Sequence, residues 1–154
     1  MFKKSVLLSA SLLLVSFSVN SKPPVNKNYV PGLGEIMSLT SMRHIKLGLA
    51  GQANNWELAE YELHELHEGF DDAIKFHPTH DDIKNVAELI NKTMNKPMAE
   101  LESAVKAKNA GQFKTHYQAL TAACNACHQM TQFGFNVIIE PSNNPFSNQD
   151  FTRY

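Results

Sequence analysis

Four stretches of this sequence repeat their apolar residues every three or four positions, and no other feature constrains its fold as strongly. That spacing places apolar side chains along one face of an α-helix. The stretches are separated by short connections and cover residues 34–50, 56–76, 83–108 and 112–134. Four amphipathic helices with short connections predict an all-α fold, an antiparallel four-helix bundle.

Three details of the helices sharpen this prediction. The third helix keeps its apolar period across Pro97, so we expect one kinked helix there rather than two. The second helix has a side rich in carboxylates, including Glu62 and Glu65, which we expect to face solvent. The apolar face of the first helix is predicted to consist of Ile36, Leu39, Met42, Ile45 and Leu49.

Both cysteines of the chain lie in the sequence Cys124-Asn125-Ala126-Cys127-His128, near the end of the predicted fourth helix. The pattern Cys-x-x-Cys-His is typical of a c-type haem attachment site. Two thiols three residues apart lie on one helical face, so both can form thioethers to one edge of a porphyrin. His128 follows directly and is predicted to be the proximal iron ligand. We therefore expect one covalently bound haem c.

Two other interpretations of the motif are weaker. A redox-active Cys-x-x-Cys pair belongs to a strand–helix–strand pattern, and this sequence shows none. A structural zinc site needs a second pair of ligands at finger-like spacing, and the chain has no third cysteine. The spacing therefore favours haem.

The N-terminal residues 1–21 have the pattern of a secretory signal peptide. Lys3 and Lys4 precede an uncharged apolar run from Ser5 to Val19, and small residues follow it. The run is shorter than the roughly 20 apolar residues that a membrane-spanning helix needs, so we expect cleavage and no stable membrane anchor. An uncleaved anchor helix is the alternative.

The remaining chain is predicted to form a bundle domain over residues 22–139 and an extended tail over residues 140–154. The tail is rich in proline, asparagine and aromatic residues and has no helical period. We expect it to wrap over the bundle, with Phe146 and Phe151 as anchors. A disordered tail is the alternative.

Charge and motif content argue against two classes of protein. Fourteen basic and 15 acidic residues give a formal net charge of −1, which offers no basic surface for nucleic acid. The sequence contains no glycine-rich phosphate loop and no nucleophile elbow, so we do not expect an enzyme.

The predicted bundle, with Cys124, Cys127 and His128 near the end of its fourth helix, resembles the cytochrome c-prime group and its low-spin relatives. The resemblance covers residues 33–135 and implies export to the periplasm, because bacteria attach c-type haem outside the cytoplasm. It also implies a homodimer. The sequence departs from the group after the motif, where Gln129 and the residues that follow it replace the usual basic residue.

In that group the residue on the distal side of the iron comes from the first helix. We accordingly predict Met37 as the sixth iron ligand, with His44 and Met42 as the alternatives. The resemblance also implies that Arg43 holds a haem propionate, an anion that a guanidinium can bind in a bidentate fork.

The distal ligand decides between two functions that the resemblance implies. A methionine ligand gives a carrier of single electrons, which exchanges them with a redox partner protein of unknown identity. An open distal position gives a haem protein that binds or senses small gases. A third hypothesis is a bundle that binds a metal without haem, through His64, His67 and Asp71 on one face of the second helix. His77 and His80, on either side of Pro78, are further candidate ligands for that metal. Carboxylate di-iron bundles need Glu-x-x-His motifs, which that helix lacks.

Overall fold

Asparagine side chains begin three of the four helices in the computed structural model, which describes residues 29–152. Asn55, Asn85 and Asn109 each accept a hydrogen bond from the backbone N–H three residues later. Such caps satisfy a backbone donor that has no partner within the helix. The predicted signal peptide, residues 1–21, lies outside the described residues.

The helices are α1 (Leu33–Gln52), α2 (Trp56–Phe76), α3 (Val86–Lys106) and α4 (Ala110–Met130). Their short connections make consecutive helices antiparallel; α1 packs mainly on α2, α3 packs mainly on α4, and α2 meets α3. Within residues 29–152 the only strand-like pairing is a single bridge in the loop between α2 and α3. The predicted all-α four-helix bundle is therefore confirmed. None of the helices in this range has the length and apolar content needed to cross a bilayer.

The core draws on all four helices. Its fully buried side chains include Leu47, Leu66, Met98, Leu101 and Leu120. Truncating such a residue to alanine typically costs about 2–5 kcal/mol, a large share of the roughly 5–15 kcal/mol that stabilises a domain. This shared core holds the four helices together as one unit.

The apolar face predicted for α1 is confirmed only in part: Ile36 and Leu49 are buried and Ile45 packs on the core. Leu39 is 56% exposed and Met42 is only half-buried, so neither belongs to the core. The buried face of α1 instead combines apolar, small and polar side chains: Ile36, Thr40, His44, Leu47, Gly48, Leu49, Ala50 and Gly51.

Close approach of α4 explains this face. A Cβ atom at Gly48 would collide with the Tyr117 hydroxyl, and one at Gly51 would collide with the Phe113 ring. Small and polar residues at a helix contact carry no apolar period, and the sequence pattern therefore missed them.

The other details of the helices are partly confirmed. Pro97 lies inside one continuous α3, as predicted. α3 begins at Val86 rather than at residue 83, because Asn85 caps it. The carboxylates of α2 are not all solvated, as we had expected: Glu62 is 1% exposed and pairs with Arg43.

The chain after α4 turns back and packs on the bundle. Phe151 is buried and Phe146 packs on the same core, with their ring centroids 6.1 Å apart. The Asn55 side chain donates a hydrogen bond of 3.1 Å to the Phe151 carbonyl, close to the turn between α1 and α2. The two aromatic residues predicted to anchor the tail therefore do pack on the bundle.

Candidate cofactor-binding cavity

A cavity of about 510 Å³ lies at the end of the bundle where α1 and α3 begin and α2 and α4 end. All four helices line it, together with the loop between α2 and α3 and the chain after α4. Its wall is mostly apolar and includes Leu66, Phe70, Val86 and Ile90. The volume lies in the range of roughly 300–1,000 Å³ that is common for cofactor and ligand sites.

The three residues of the Cys-x-x-Cys-His motif line this cavity. Cys124, Cys127 and His128 occupy positions i, i+3 and i+4 of α4, so they share one helical face. Both cysteines are free thiols, partly buried and packed against the core. The helical period therefore presents two thiols and one imidazole to the same space.

Burial keeps both thiols protonated at neutral pH. It raises the pKa of Cys124 to about 12, and the neighbouring Cys127 adds to this effect. Burial also raises the pKa of Cys127, although a hydrogen bond with Thr93 acts in the opposite direction. Redox-active cysteine pairs depend on a thiolate, which a lowered pKa favours. The environment of this pair is thus opposite to that of an activated redox cysteine.

His128 is held in one orientation by the chain that follows α4. Its Nδ1 lies 2.6 Å from the backbone carbonyl oxygen of Asn136. A carbonyl oxygen only accepts hydrogen bonds, so Nδ1 carries a proton, and in the neutral imidazole Nε2 then keeps its lone pair. Metal-binding histidines usually have this arrangement, in which one ring nitrogen donates to a carbonyl and the other faces the metal.

Two methionines line the same cavity. Met37 on α1 is half-buried, and Met94 on α3 is buried. The structure thus brings Met37 to the motif, as the resemblance implied, whereas Met42 does not line the cavity. Sequence reasoning missed Met94, because its position in the period of α3 marked it only as a core residue.

His44 also lines the cavity, but both of its ring nitrogens are engaged. Nε2 lies 2.8 Å from the Thr121 hydroxyl and Nδ1 lies 3.1 Å from the Tyr117 hydroxyl. Burial lowers the pKa of His44 to about 4, so the ring is neutral near pH 7. Binding a metal would require His44 to give up one of these hydrogen bonds, which makes it a weaker candidate than Met37.

Arg43 is not brought to the cavity. Its guanidinium pairs with Glu62 at 3.2 Å and with Glu65 at 2.7 Å, and it lies over the Tyr61 ring at 5.7 Å. These contacts join α1 to α2, away from the residues that line the cavity. The propionate role that the resemblance implied for Arg43 therefore has no support in this structure, because its donors already serve two carboxylates.

His80, in the loop between α2 and α3, lines the cavity, whereas the sequence suggested it only as a ligand of a metal site without haem. Its ring stacks on Phe133 with centroids 6.3 Å apart and meets the edge of His77 at 5.8 Å. Paired backbone hydrogen bonds between His80 and Ile83 close the loop. No pattern along the chain relates this loop to α4, since only the tertiary fold brings them together.

The metal site considered on α2 gains no support. Across residues 29–152 no three His, Cys, Asp or Glu side chains are grouped closely enough to hold a metal ion. His64 is exposed and lies 3.4 Å from Glu68, in the usual arrangement of a solvated helix pair.

Comparison of this chain with known proteins and structures found no match. No protein-family model matches the chain, and no curated protein or solved structure matches it either. The resemblance to the cytochrome c-prime group therefore stays a prediction that rests on the motif and on its place in the bundle.

Proposed function

We propose that this protein is a c-type cytochrome that holds one haem in the cavity at the end of its bundle and transfers single electrons. The observation that carries the proposal is the state of His128. Its Nδ1 donates to the Asn136 carbonyl at 2.6 Å, so in the neutral ring the lone pair lies on Nε2, and two thiols share the helical face of this histidine.

The residues present fit such a group. The cavity has a suitable volume and an apolar wall, which excludes water from a porphyrin ring. Cys124 and Cys127 would hold the haem covalently, and His128 would bind its iron. The haem supplies the redox chemistry, while the chain determines the ligands and the access of solvent.

Met37 is the proposed sixth ligand. It lines the cavity from α1, the helix that the resemblance singles out, and a thioether ligand favours ferrous iron. Met94 and His80 line the same cavity and compete for this role. If none of these side chains binds the iron, the distal position is open and the gas-binding function replaces electron transfer.

The proposal includes export to the periplasm, in line with the signal-peptide pattern of residues 1–21. The redox partner protein and the homodimer that the resemblance implies are part of the same proposal. Arg43 is left out of the haem site, because its guanidinium already binds Glu62 and Glu65.

The test compares two histidines of α4 in protein matured with haem-attachment machinery. His128→Ala should keep the haem attached through the thioethers but lose the visible spectrum of the wild type. His116→Ala is the matched control, because His116 lies on the same helix and pairs with Glu100 at 3.4 Å, outside the cavity lining. An unchanged spectrum in His128→Ala would refute the assignment of the proximal ligand.

A further inference from the structure

The chain that follows α4 reaches the cavity through a segment with little apolar burial of its own. This return segment comprises residues 133–139. Three of its large side chains, Phe135, Val137 and Ile139, are 81%, 65% and 74% exposed, whereas Phe133 and Ile138 are half-buried. Since the exposed side chains contribute little to holding the segment in place, specific hydrogen bonds help to fix its position beside α4.

Asn125, the first residue between the two cysteines, makes the central pair of those hydrogen bonds. Its Nδ2 donates to the Ile138 carbonyl at 2.8 Å, and its Oδ1 accepts from the Ile138 backbone N–H at 2.8 Å. Nδ2 also donates to the Thr121 carbonyl at 3.1 Å. Only one orientation of the amide satisfies all three contacts, because two of its partners are acceptors and one is a donor.

This contact lies beside the one made by His128. Asn125 and His128 are three residues apart on α4, and their partners Ile138 and Asn136 are two residues apart on the return segment. The other end of the segment is attached where the Phe133 N–H donates to the His128 carbonyl at 2.8 Å, in the pattern of a helix C-terminal motif. The Asn136 carbonyl is thus held between two fixed points, and Asn125 provides one of them.

We propose that Asn125 is a positioning residue for the haem iron. Through Ile138 it holds the Asn136 carbonyl against Nδ1 of His128, and this contact sets the tautomer of the imidazole and its basicity as a ligand. The inference rests on the proposed function, because it assigns His128 to the iron. The proposal gives a role to Asn125, a residue of the motif that neither forms a thioether nor binds the metal.

Asn125→Ala should release the return segment and weaken the bond between His128 and Asn136. A histidine that loses such an acceptor is a less basic ligand, which favours ferrous iron and raises the reduction potential. We expect a shift of the order of a tenfold change in the one-electron equilibrium constant, about 59 mV. The Ile138 amide should also lose its protection from hydrogen exchange, since its acceptor is gone.

Asn109→Ala is the matched control. It removes an asparagine from the other end of α4, where the side chain caps the helix by accepting from the Gln112 N–H at 3.0 Å. It should lower stability without moving the potential or the exchange rate of Ile138. If Asn125→Ala gives no folded protein, Asn125→Leu replaces it, because the side-chain shape is retained while all three hydrogen bonds of the amide, including the one from the Ile138 N–H, are lost. The exchange rate of the Ile138 amide should then rise.

Three results would each overturn the inference. They are an unchanged potential and exchange rate in Asn125→Ala, unchanged Ile138 exchange in the Asn125→Leu replacement, and an equal shift of the potential in Asn109→Ala. Failure of the proposed function is distinct, because the wild type itself would then carry no covalent haem. In that case nitrogen NMR of the His128 ring, measured on the full haem-free chain, tests the positioning role of Asn125. The Nδ1–H tautomer of His128 in the wild type, lost in the Asn125 variant, would support the positioning role, and the Nε2–H tautomer in both would refute it.

Discussion

The imidazole Nε2 of His44 lies 2.8 Å from the hydroxyl oxygen of Thr121, and this contact joins α1 to α4 in the interior of the bundle. The Tyr117 hydroxyl completes the network by donating to the His44 carbonyl at 2.8 Å. Each group has a partner, so the network fills the contact between two helices whose close approach requires small and polar residues.

This network makes a prediction about acid stability. Burial lowers the pKa of His44 from 6.5 to about 4, so the unfolded chain takes up a proton in this interval while the folded chain does not. Stability is therefore fully present above pH 6.5 and falls as the pH drops towards 4, by about 3 kcal/mol. Urea unfolding at a series of pH values measures this loss.

His44→Gln should abolish that part of the pH dependence, although the variant is less stable at pH 7. His64→Gln is the control, because His64 is exposed on α2, and its pH profile should match the wild type. Equal pH profiles for the wild type and His44→Gln would show that the buried imidazole does not cause the acid sensitivity.

Variants of the Arg43–Glu62 pair test whether Arg43 stabilises the bundle rather than binding a haem propionate. Arg43→Ala leaves the buried carboxylate of Glu62 without its main partner, and breaking such a pair costs about 3 kcal/mol. Denaturant unfolding should show this loss, while the visible spectrum and the reduction potential stay as in the wild type.

The double variant Arg43→Met/Glu62→Leu should recover most of the lost stability, because no unpaired buried charge remains. A large change in the spectrum or in the potential of Arg43→Ala would instead restore the propionate role that the structure does not support.

Met37 decides which function the haem would serve. Met37→Ala should abolish the weak sulfur-to-iron absorption of the ferric protein, lower the reduction potential and open the iron to carbon monoxide. Visible spectroscopy and potentiometry read out these changes.

Met42→Ala is the control for Met37, because Met42 lies on the same helix but does not line the cavity. It should leave the spectrum unchanged. Loss of the absorption band in Met94→Ala, with Met37→Ala unaffected, would transfer the ligand to α3. A wild type that already binds carbon monoxide rapidly would support gas binding.

The fold was predictable because its signals are local. The apolar periods of α2 and α3 act within one or two turns, and short connections leave few ways to pack four helices. α1 was harder, because Gly48, Gly51 and His44 bury themselves against α4 without being apolar. A hydrophobic pattern cannot reveal a contact made by glycine and a satisfied imidazole.

The candidate site likewise contains residues that local spacing reveals and residues that only the tertiary fold brings together. Cys124, Cys127 and His128 were found from the sequence because their spacing on one helix is itself the signal. The places of Asn125 and His80 beside the motif were not predicted, because their partners lie in the return segment and on the Phe133 ring, which only the fold brings near. The pairing of Arg43 with Glu62 was not predicted, because the sequence could not show that Glu62 would be buried beside it.

The most direct test of the whole account is the intact mass of the exported protein after maturation and extraction with acidified acetone. The account predicts the mass of the cleaved chain plus one haem, which stays attached because thioether bonds survive the extraction. The variant Cys124→Ala/Cys127→Ala should carry no haem under the same conditions. A wild-type chain that leaves complete maturation without added haem mass would contradict the central claim.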